Sequence, residues 1–123
     1  MRIPERIIVT CGEFDPLSNE ELKFLKKCRR KGDWLIVGVH SDWWMMYARG
    51  GFMQSYETRR EIMSNIKCVD EILTFNDSDG TVCQLLKIVK IVYPHAEIVY
   101  ISDEDMHNMP ESKIKGITFE TMK

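Results

Sequence analysis

Short apolar runs alternate with amphipathic segments along the chain, and this alternation limits the available folds more than any other feature. The apolar runs cover residues 6–11, 34–40, 68–75 and 96–102, with a weaker one at 116–122. They are short and nearly continuous, as in strands that are covered on both faces. Strands alternating with helices predict an α/β fold. We expect a Rossmann-like, doubly wound, mostly parallel sheet of about five strands with helices on both faces, in a single domain over residues 1–123.

The helical segments carry start and stop signals. Ser18 opens the first, at residues 18–31, and Ser41 opens a short helix or turn at residues 41–49. A third helix is expected at residues 55–67 and a fourth at residues 81–93. The sides predicted to be buried hold Tyr56, Ile62, Met63 and Ile66 in the third helix and Val82, Leu85, Leu86 and Val89 in the fourth.

Charge and apolar content exclude several partners. The formal net charge is −2 at pH 7, whereas general nucleic-acid binders usually carry a basic stripe, so no nucleic-acid partner is expected. No apolar run approaches the roughly 20 residues that span a bilayer, and the N-terminal residues lack the apolar centre of a signal peptide. We therefore expect a cytoplasmic protein without membrane contacts.

Cysteine and histidine spacing argues against a metal site. The four cysteines stand far apart, with no C-x-x-C pair, so buried free thiols of a reduced cytosolic protein are expected. His95 and His107, with the acids between them, are the best local candidates for ligands, but both are expected on solvated loops. No protein metal site is predicted.

Three polar stretches follow predicted strands, at residues 12–19, 40–42 and 102–105. The carboxyl ends of parallel strands form the ligand crevice of a doubly wound sheet, so these stretches are expected to meet there. The sequence GEFDPLSNEE resembles the G-x-F-D-x-x-H-x-G-H motif of the cytidylyltransferase-like nucleotidyltransferases, with Gly12, Phe14 and Asp15 in register. That family includes glycerol-3-phosphate cytidylyltransferase and the nucleotidyl-transferring part of ADP-heptose synthase.

The resemblance continues in order along most of the chain. VGVHSD looks like the family's second strand with its terminal acid, here Asp42. SYETRREI is similar to the family's E-x-R helix, with Glu57 and Arg59 on the matching positions. NDSDGTVCQLL is close to a segment of a bacterial and phage subgroup, and SDEDMHNMPE resembles that subgroup's G-D-R-x-x-x-N-x-P-E loop.

The resemblance implies a reaction and its ligands. Such enzymes join a nucleoside triphosphate, here CTP or ATP, to a sugar or polyol phosphate, and pyrophosphate leaves. Mg²⁺ would be the cofactor of an active enzyme. The positions implied to bind nucleotide or substrate are Gly12, Phe14, Asp15, Asp42, Arg49, Arg59 and Asp103.

The chain departs from the family where the phosphates would bind. The two motif histidines are replaced by Ser18 and Glu21, and the motif glycine by Glu20. Ser-x-x-Glu at a helix start predicts a capping box, which occupies N–H groups that an anion would otherwise use. Glu104 stands at the subgroup's arginine position, and no segment convincingly matches the family's C-terminal R-x-x-G-x-S-x-T. Each change removes capacity to bind phosphate.

Two functional hypotheses follow. In the first, the protein keeps the family's fold but its catalytic capacity is eroded, as the residues at the phosphate positions favour. In the second, it is an active nucleotidyltransferase that forms an NDP-sugar or NDP-polyol, with Mg²⁺ and the remaining Asp and Arg residues replacing the histidines. A third hypothesis, a receiver-like α/β signalling domain, fits the strand pattern but not the motif register.

Structural roles compete with binding roles at the remaining positions. Asp15 either orients a ligand or caps its own turn, and Asp42 either contacts an acceptor or starts a helix. Arg49 is a candidate to hold an anion. Arg59 either holds an anion or pairs with Glu57 or Asp42.

The run WWMM, at residues 43–46, is too apolar for full exposure to water. A subunit interface or a packed lid is favoured over base stacking. A homodimer is therefore expected.

Overall fold

Five strands and four helices alternate in the computed structural model, which describes residues 3–122. The strands are β1 (Arg6–Gly12), β2 (Trp34–Val39), β3 (Glu71–Leu73), β4 (Glu97–Ser102) and β5 (Ile117–Thr121). The helices are α1 (Asn19–Arg30), α2 (Asp42–Arg49), α3 (Tyr56–Ser64) and α4 (Cys83–Val92), with a short 3₁₀ helix at Pro110–Lys113. All neighbouring strands pair in parallel, in the order β3-β2-β1-β4-β5. The predicted α/β, Rossmann-like sheet is confirmed.

The core lies on both faces of the sheet because successive strand residues point to opposite sides. Ile7, Val9 and Ile36 pack on one side with the buried residues of α4. Ile8 and Leu35 pack on the other side with residues of α1 and α3. The inward side predicted for the fourth helix is confirmed, since all four of its apolar residues are buried.

The inward side predicted for α3 is wrong at one residue. Met63 is buried, and Tyr56 and Ile66 pack against the core, but Ile62 is 37% exposed. The side chain of Arg59 is fully buried in its place. Arg59 and Met63 are one helical turn apart, which turns Ile62 away from the sheet.

Two further expectations, the length of the third strand and the burial of the cysteines, are confirmed only in part. The third strand pairs with β2 only at three residues, because it is an edge strand that is continued by loop on both sides. The cysteines are free thiols, as expected, but only Cys28 is fully buried and the other three are partly buried. In residues 3–122, no helix has the length and apolar character needed to cross a membrane.

The sheet reverses its winding direction between β1 and β4, which is where such folds open a crevice. The two strands pair only up to Val9 and Tyr100. Beyond that point the Thr10 hydroxyl donates to the carbonyl oxygen of Ile101 at 2.7 Å. The strands therefore separate at their carboxyl ends, and the space between them becomes a cleft.

Candidate functional site

A cleft of about 980 Å³ lies at the carboxyl ends of β1 and β4. Residues from all three predicted stretches line it, at positions 12–16, 40 and 102–104. The start of α1, with Glu20 and Glu21, and the segment around Met106 complete its walls. The three stretches therefore meet in one place, as the order of strands predicted.

The loop that follows β1 has an unusual backbone at Phe14. Phe14 has a φ of 51°, in the left-handed region that bulky residues rarely occupy. Its ring folds back over Gly12, where an added Cβ would lie 2.7 Å from Cζ of Phe14. Gly12 is thus required for this fold of the loop, which fits its place in the family motif.

Asp15 joins this loop to the segment between α2 and α3. Its carboxylate accepts hydrogen bonds from the N–H groups of Met53, at 2.7 Å, and Gln54, at 2.6 Å. These partners lie far along the chain, so the carboxylate does not cap its own turn. It ties the loop after β1, which lines the cleft, to the segment before α3.

Arg59 is a buried clip, and its partner is Asp42. Its Nη2 donates to Oδ1 of Asp42 at 3.0 Å, while its other donors reach the carbonyl oxygens of Glu13, His40 and Gln54. Of the two partners predicted for it, Asp42 is confirmed in place of Glu57. Because its side chain is fully buried and its donors are used within the protein, Arg59 does not line the cleft.

Arg49 stands at the mouth of the cleft and forms an ion pair with Glu13. Three N···O distances between the two side chains lie from 2.6 to 3.1 Å. Its guanidinium carbon is 5.9 Å from the centre of the Trp44 ring. The hydrogen bonds and charge of Glu13 raise the pKa of Arg49. The positive charge of Arg49 is therefore already paired.

The predicted capping box at the start of α1 is confirmed. The N–H of Glu21 donates to Oγ of Ser18 at 3.1 Å, and the N–H of Ser18 donates to Oε1 of Glu21 at 2.9 Å. Two backbone N–H groups at this helix start are therefore satisfied by the helix itself.

The cleft carries an excess of acidic side chains. Seven carboxylates line it, against three cationic side chains, one of which is the paired Arg49. The acids are Glu13, Asp15, Glu20, Glu21, Asp103, Glu104 and Glu111. The other two cations, Lys23 and Lys27, were missed in the sequence; their i, i+4 spacing on α1 was the available signal.

His40, at the base of the cleft, belongs to a network that the sequence did not reveal. Its Nδ1 lies 3.1 Å from Oδ2 of buried Asp77, and its Nε2 lies 3.6 Å from Sγ of Cys11. Asp77 also accepts from the N–H and Oγ of Ser41. Burial lowers the pKa of His40, although Asp77 opposes this. Asp77 lies in the NDSDG segment, and no sequence pattern links it to His40.

The apolar run at residues 43–46 is divided between two environments by helical periodicity. Met45 is buried, and Trp44 lines the cleft with its ring stacked on His40 at a centroid distance of 3.8 Å. Trp43 is 50% exposed and stacks on Tyr47, which is 75% exposed. Only the outer half of the run is thus available to a partner subunit.

Asp103 lies on the cleft wall and is exposed. Within residues 3–122, no group of three or more His, Cys, Asp or Glu side chains is arranged to hold a metal ion.

Comparisons with known proteins agree with the fold and the motif. The family model described as cytidylyltransferase-like matches residues 9–120. The bifunctional protein HldE of Hydrogenovibrio crunogenus is 32% identical over 85 residues, which cover 66% of this chain and 18% of that protein. The glycerol-3-phosphate cytidylyltransferase of Bacillus subtilis is 32% identical over 66 residues, covering 54% of this chain and 51% of that enzyme. The matches thus span about half or less of these relatives.

Solved structures share the architecture over nearly the whole chain. The lipopolysaccharide core biosynthesis protein from Thermoplasma volcanium has a TM-score of 0.69 and 25% identity, covering 94% of this chain and 93% of that one. A NadR protein in complex with NAD and AMP-PNP has a TM-score of 0.63, with 96% of this chain and 37% of that chain covered. At 15% identity the second likeness shows the fold alone.

Proposed function

The chain belongs to the cytidylyltransferase-like family, and on that premise we propose that it is a nucleotidyltransferase-family protein whose catalytic capacity is eroded. The observation that carries the proposal is the capping box of Ser18 and Glu21. In an anion site at a helix start, free N–H groups and cationic side chains meet the phosphates. Here the capping box occupies two of those N–H groups, and the helix start adds carboxylates.

The charge of the whole cleft supports the same conclusion. Transfer of a nucleotidyl group needs stabilisation of negative charge on the phosphate under attack. Two unit charges 4 Å apart interact by roughly 4 kcal/mol at an effective dielectric constant near 20. Replacing a cation by a carboxylate therefore turns an attraction of that size for the phosphates into a repulsion. Seven carboxylates against three cations disfavour a triphosphate.

A second candidate function is an active nucleotidyltransferase that makes an NDP-sugar or NDP-polyol and pyrophosphate. Lys23 and Lys27 favour it, because they bring two cations to the cleft wall one helical turn apart. CTP or ATP would be the nucleotide and a sugar or polyol phosphate the acceptor. Mg²⁺ would bind together with the triphosphate, because it is usually held by one or two carboxylates and by substrate phosphates.

Pyrophosphate release separates the two candidates. The purified protein is incubated with Mg²⁺, CTP or ATP, and glycerol 3-phosphate or heptose 1-phosphate. We expect no release above the protein-free control. Release that disappears in a Lys23→Ala, Lys27→Ala double variant, while a Lys26→Ala variant keeps it, would support the active enzyme and contradict erosion. Lys26 is a suitable control because it lies on the same helix outside the cleft lining.

We also propose that the protein forms a homodimer through the exposed side of α2. Trp43, Met46 and Tyr47 are all at least half exposed on that helix, and Phe52 and Met53, shortly after it in the chain, are also exposed. Exposed apolar groups of this kind mark contact surfaces. Light scattering after size exclusion should give twice the chain mass, and a Trp43→Glu, Tyr47→Glu variant should give the chain mass; monomeric wild-type protein would contradict the proposal.

A further inference from the structure

Three side chains form a continuous chain at the base of the cleft: the thiol of Cys11, the imidazole of His40 and the carboxylate of Asp77. Sγ of Cys11 lies 3.6 Å from Nε2 of His40, within the limit for a hydrogen bond to sulfur. Nδ1 of His40 lies 3.1 Å from Oδ2 of Asp77. The order thiol, imidazole, carboxylate is that of a nucleophile, its base and the group that orients the base.

The hydrogen bonds determine which imidazole nitrogen is free to accept a proton. An ionised carboxylate only accepts hydrogen bonds, so Nδ1 of His40 carries the proton that Asp77 accepts. In the neutral ring Nε2 then has the lone pair, and it faces the thiol. The ring cannot easily turn away, because Asp77 is also fixed by Ser41 and the Trp44 ring stacks on the imidazole.

The charges around these three side chains keep the Cys11 thiol protonated at rest. Burial raises the pKa of Cys11, and the nearby carboxylates Asp77, Glu111 and Glu13 raise it further. Tyr100, on β4, also faces the thiol and is neutral because burial raises its pKa well above 10. Buried Arg59 helps to lower the pKa of His40, while Asp77 and Glu13 oppose it. The resting pair is therefore a neutral thiol and a neutral imidazole.

We propose that Cys11 is a nucleophile that His40 activates as general base, and that the cleft admits small uncharged electrophiles to it. As sulfur forms its bond to the electrophilic carbon, the S–H proton passes to Nε2 of His40 and the leaving group departs with its bonding electrons. Asp77 stabilises the imidazolium that results. The acidic lining of the cleft disfavours anionic electrophiles.

The proposal is independent of nucleotide binding, and the other cysteines provide internal controls. Cys11 is partly exposed and lines the cleft, whereas Cys28 is fully buried on the inner side of α1. Cys83 is partly exposed, like Cys11, but among residues 3–122 its sulfur makes no hydrogen bond to a histidine.

The test measures the rate at which iodoacetamide, an uncharged alkylating probe, modifies each cysteine of the folded protein, resolved by peptide mass spectrometry. We expect Cys11 to react at least about tenfold faster than Cys28 and faster than Cys83, because His40 stands within reach of the Cys11 thiol to take its proton. Between about pH 7 and pH 9 the Cys11 rate should change little, because neutral His40 removes the proton throughout. In His40→Gln the rate should rise about tenfold per pH unit, since only the thiolate reacts.

A charged probe and a matched variant complete the design. The ratio of the iodoacetamide rate to the iodoacetate rate is measured for Cys11 and for free glutathione. Because iodoacetate is an anion, this ratio should be at least about fivefold higher for Cys11. His95→Gln removes an exposed histidine elsewhere and should react like the wild type. A folded His40→Gln protein with the wild-type rate and pH profile would overturn the proposal. If that variant does not fold, a tenfold rise per pH unit in the wild-type protein itself overturns it.

Discussion

The loop after β1 and the start of α1 are adjacent in the chain, but they are held in place in different ways. The loop, at residues 12–17, is fixed by distant partners: Asp15 binds the segment before α3, and Arg59 binds the carbonyl oxygen of Glu13. The helix start, at residues 18–21, is fixed by its own capping box. Residues that other segments depend on keep the family pattern here, whereas the locally held helix start has changed. Substitutions at this helix start are therefore expected to leave the fold intact.

Arg59→Leu should have the largest effect, and it tests whether distant partners hold the loop after β1 in place. The variant takes a charged donor away from three part-buried carbonyl oxygens and from Asp42, which is 39% exposed. An unsatisfied buried acceptor costs about 1–3 kcal/mol, so the three carbonyl oxygens together should cost about 3 kcal/mol or more. Urea denaturation should show that loss in the free energy of unfolding. Exposed Arg60→Leu, the neighbouring control, should stay within about 0.5 kcal/mol of the wild type. Equal effects in the two variants would mean that the clip is dispensable.

Asp15→Asn should have an intermediate effect. The side chain keeps its shape, but only its amide oxygen can accept a hydrogen bond, and its NH₂ group faces a second N–H donor. We therefore expect the free energy of unfolding to fall by about 1–3 kcal/mol. Thermal and urea unfolding measure it. A change below about 0.5 kcal/mol would show that this loop is not fixed from a distance.

Ser18→Ala should cost less, because the helix start is exposed and held only locally. The loss of the cap is expected to be about 1 kcal/mol, and Ser18→Gly should cost only a few tenths. Both variants are measured by the same urea titration. A cost above that of Asp15→Asn would reverse the ranking of the two regions.

The smallest effect concerns the pH dependence of stability through His40. Its pKa is lowered in the folded protein, so the unfolded chain binds a proton more readily. The stabilisation is present above the unfolded pKa of about 6.5 and is lost as pH falls through that value towards the folded pKa. The wild type should therefore lose more stability than His40→Gln between pH 7 and pH 5. Parallel pH profiles of the two proteins would contradict this assignment.

The strands, the helix starts and the meeting of three stretches in one cleft could be predicted, because apolar periodicity and capping residues are local signals. The capping box at Ser18 could be predicted for the same reason, because it is formed by residues that are close in the sequence. Burial of Arg59 could not be predicted, since it depends on carbonyl oxygens brought together by three separate segments. The Cys11–His40–Asp77 chain was missed for the same reason: its members lie 29 and 37 residues apart.

The most direct test of the central claim is nucleotide affinity at the helix start. The wild type is compared with a Ser18→His, Glu20→Gly, Glu21→His triple variant by thermal unfolding with Mg²⁺ and CTP or ATP. A ligand at 100 times its Kd adds about 2.7 kcal/mol of stability, which is readily measured. We predict no shift for the wild type at millimolar nucleotide and a clear shift for the variant. A wild-type shift that the triple substitution leaves unchanged or weakens would contradict the claim that the phosphate site is eroded.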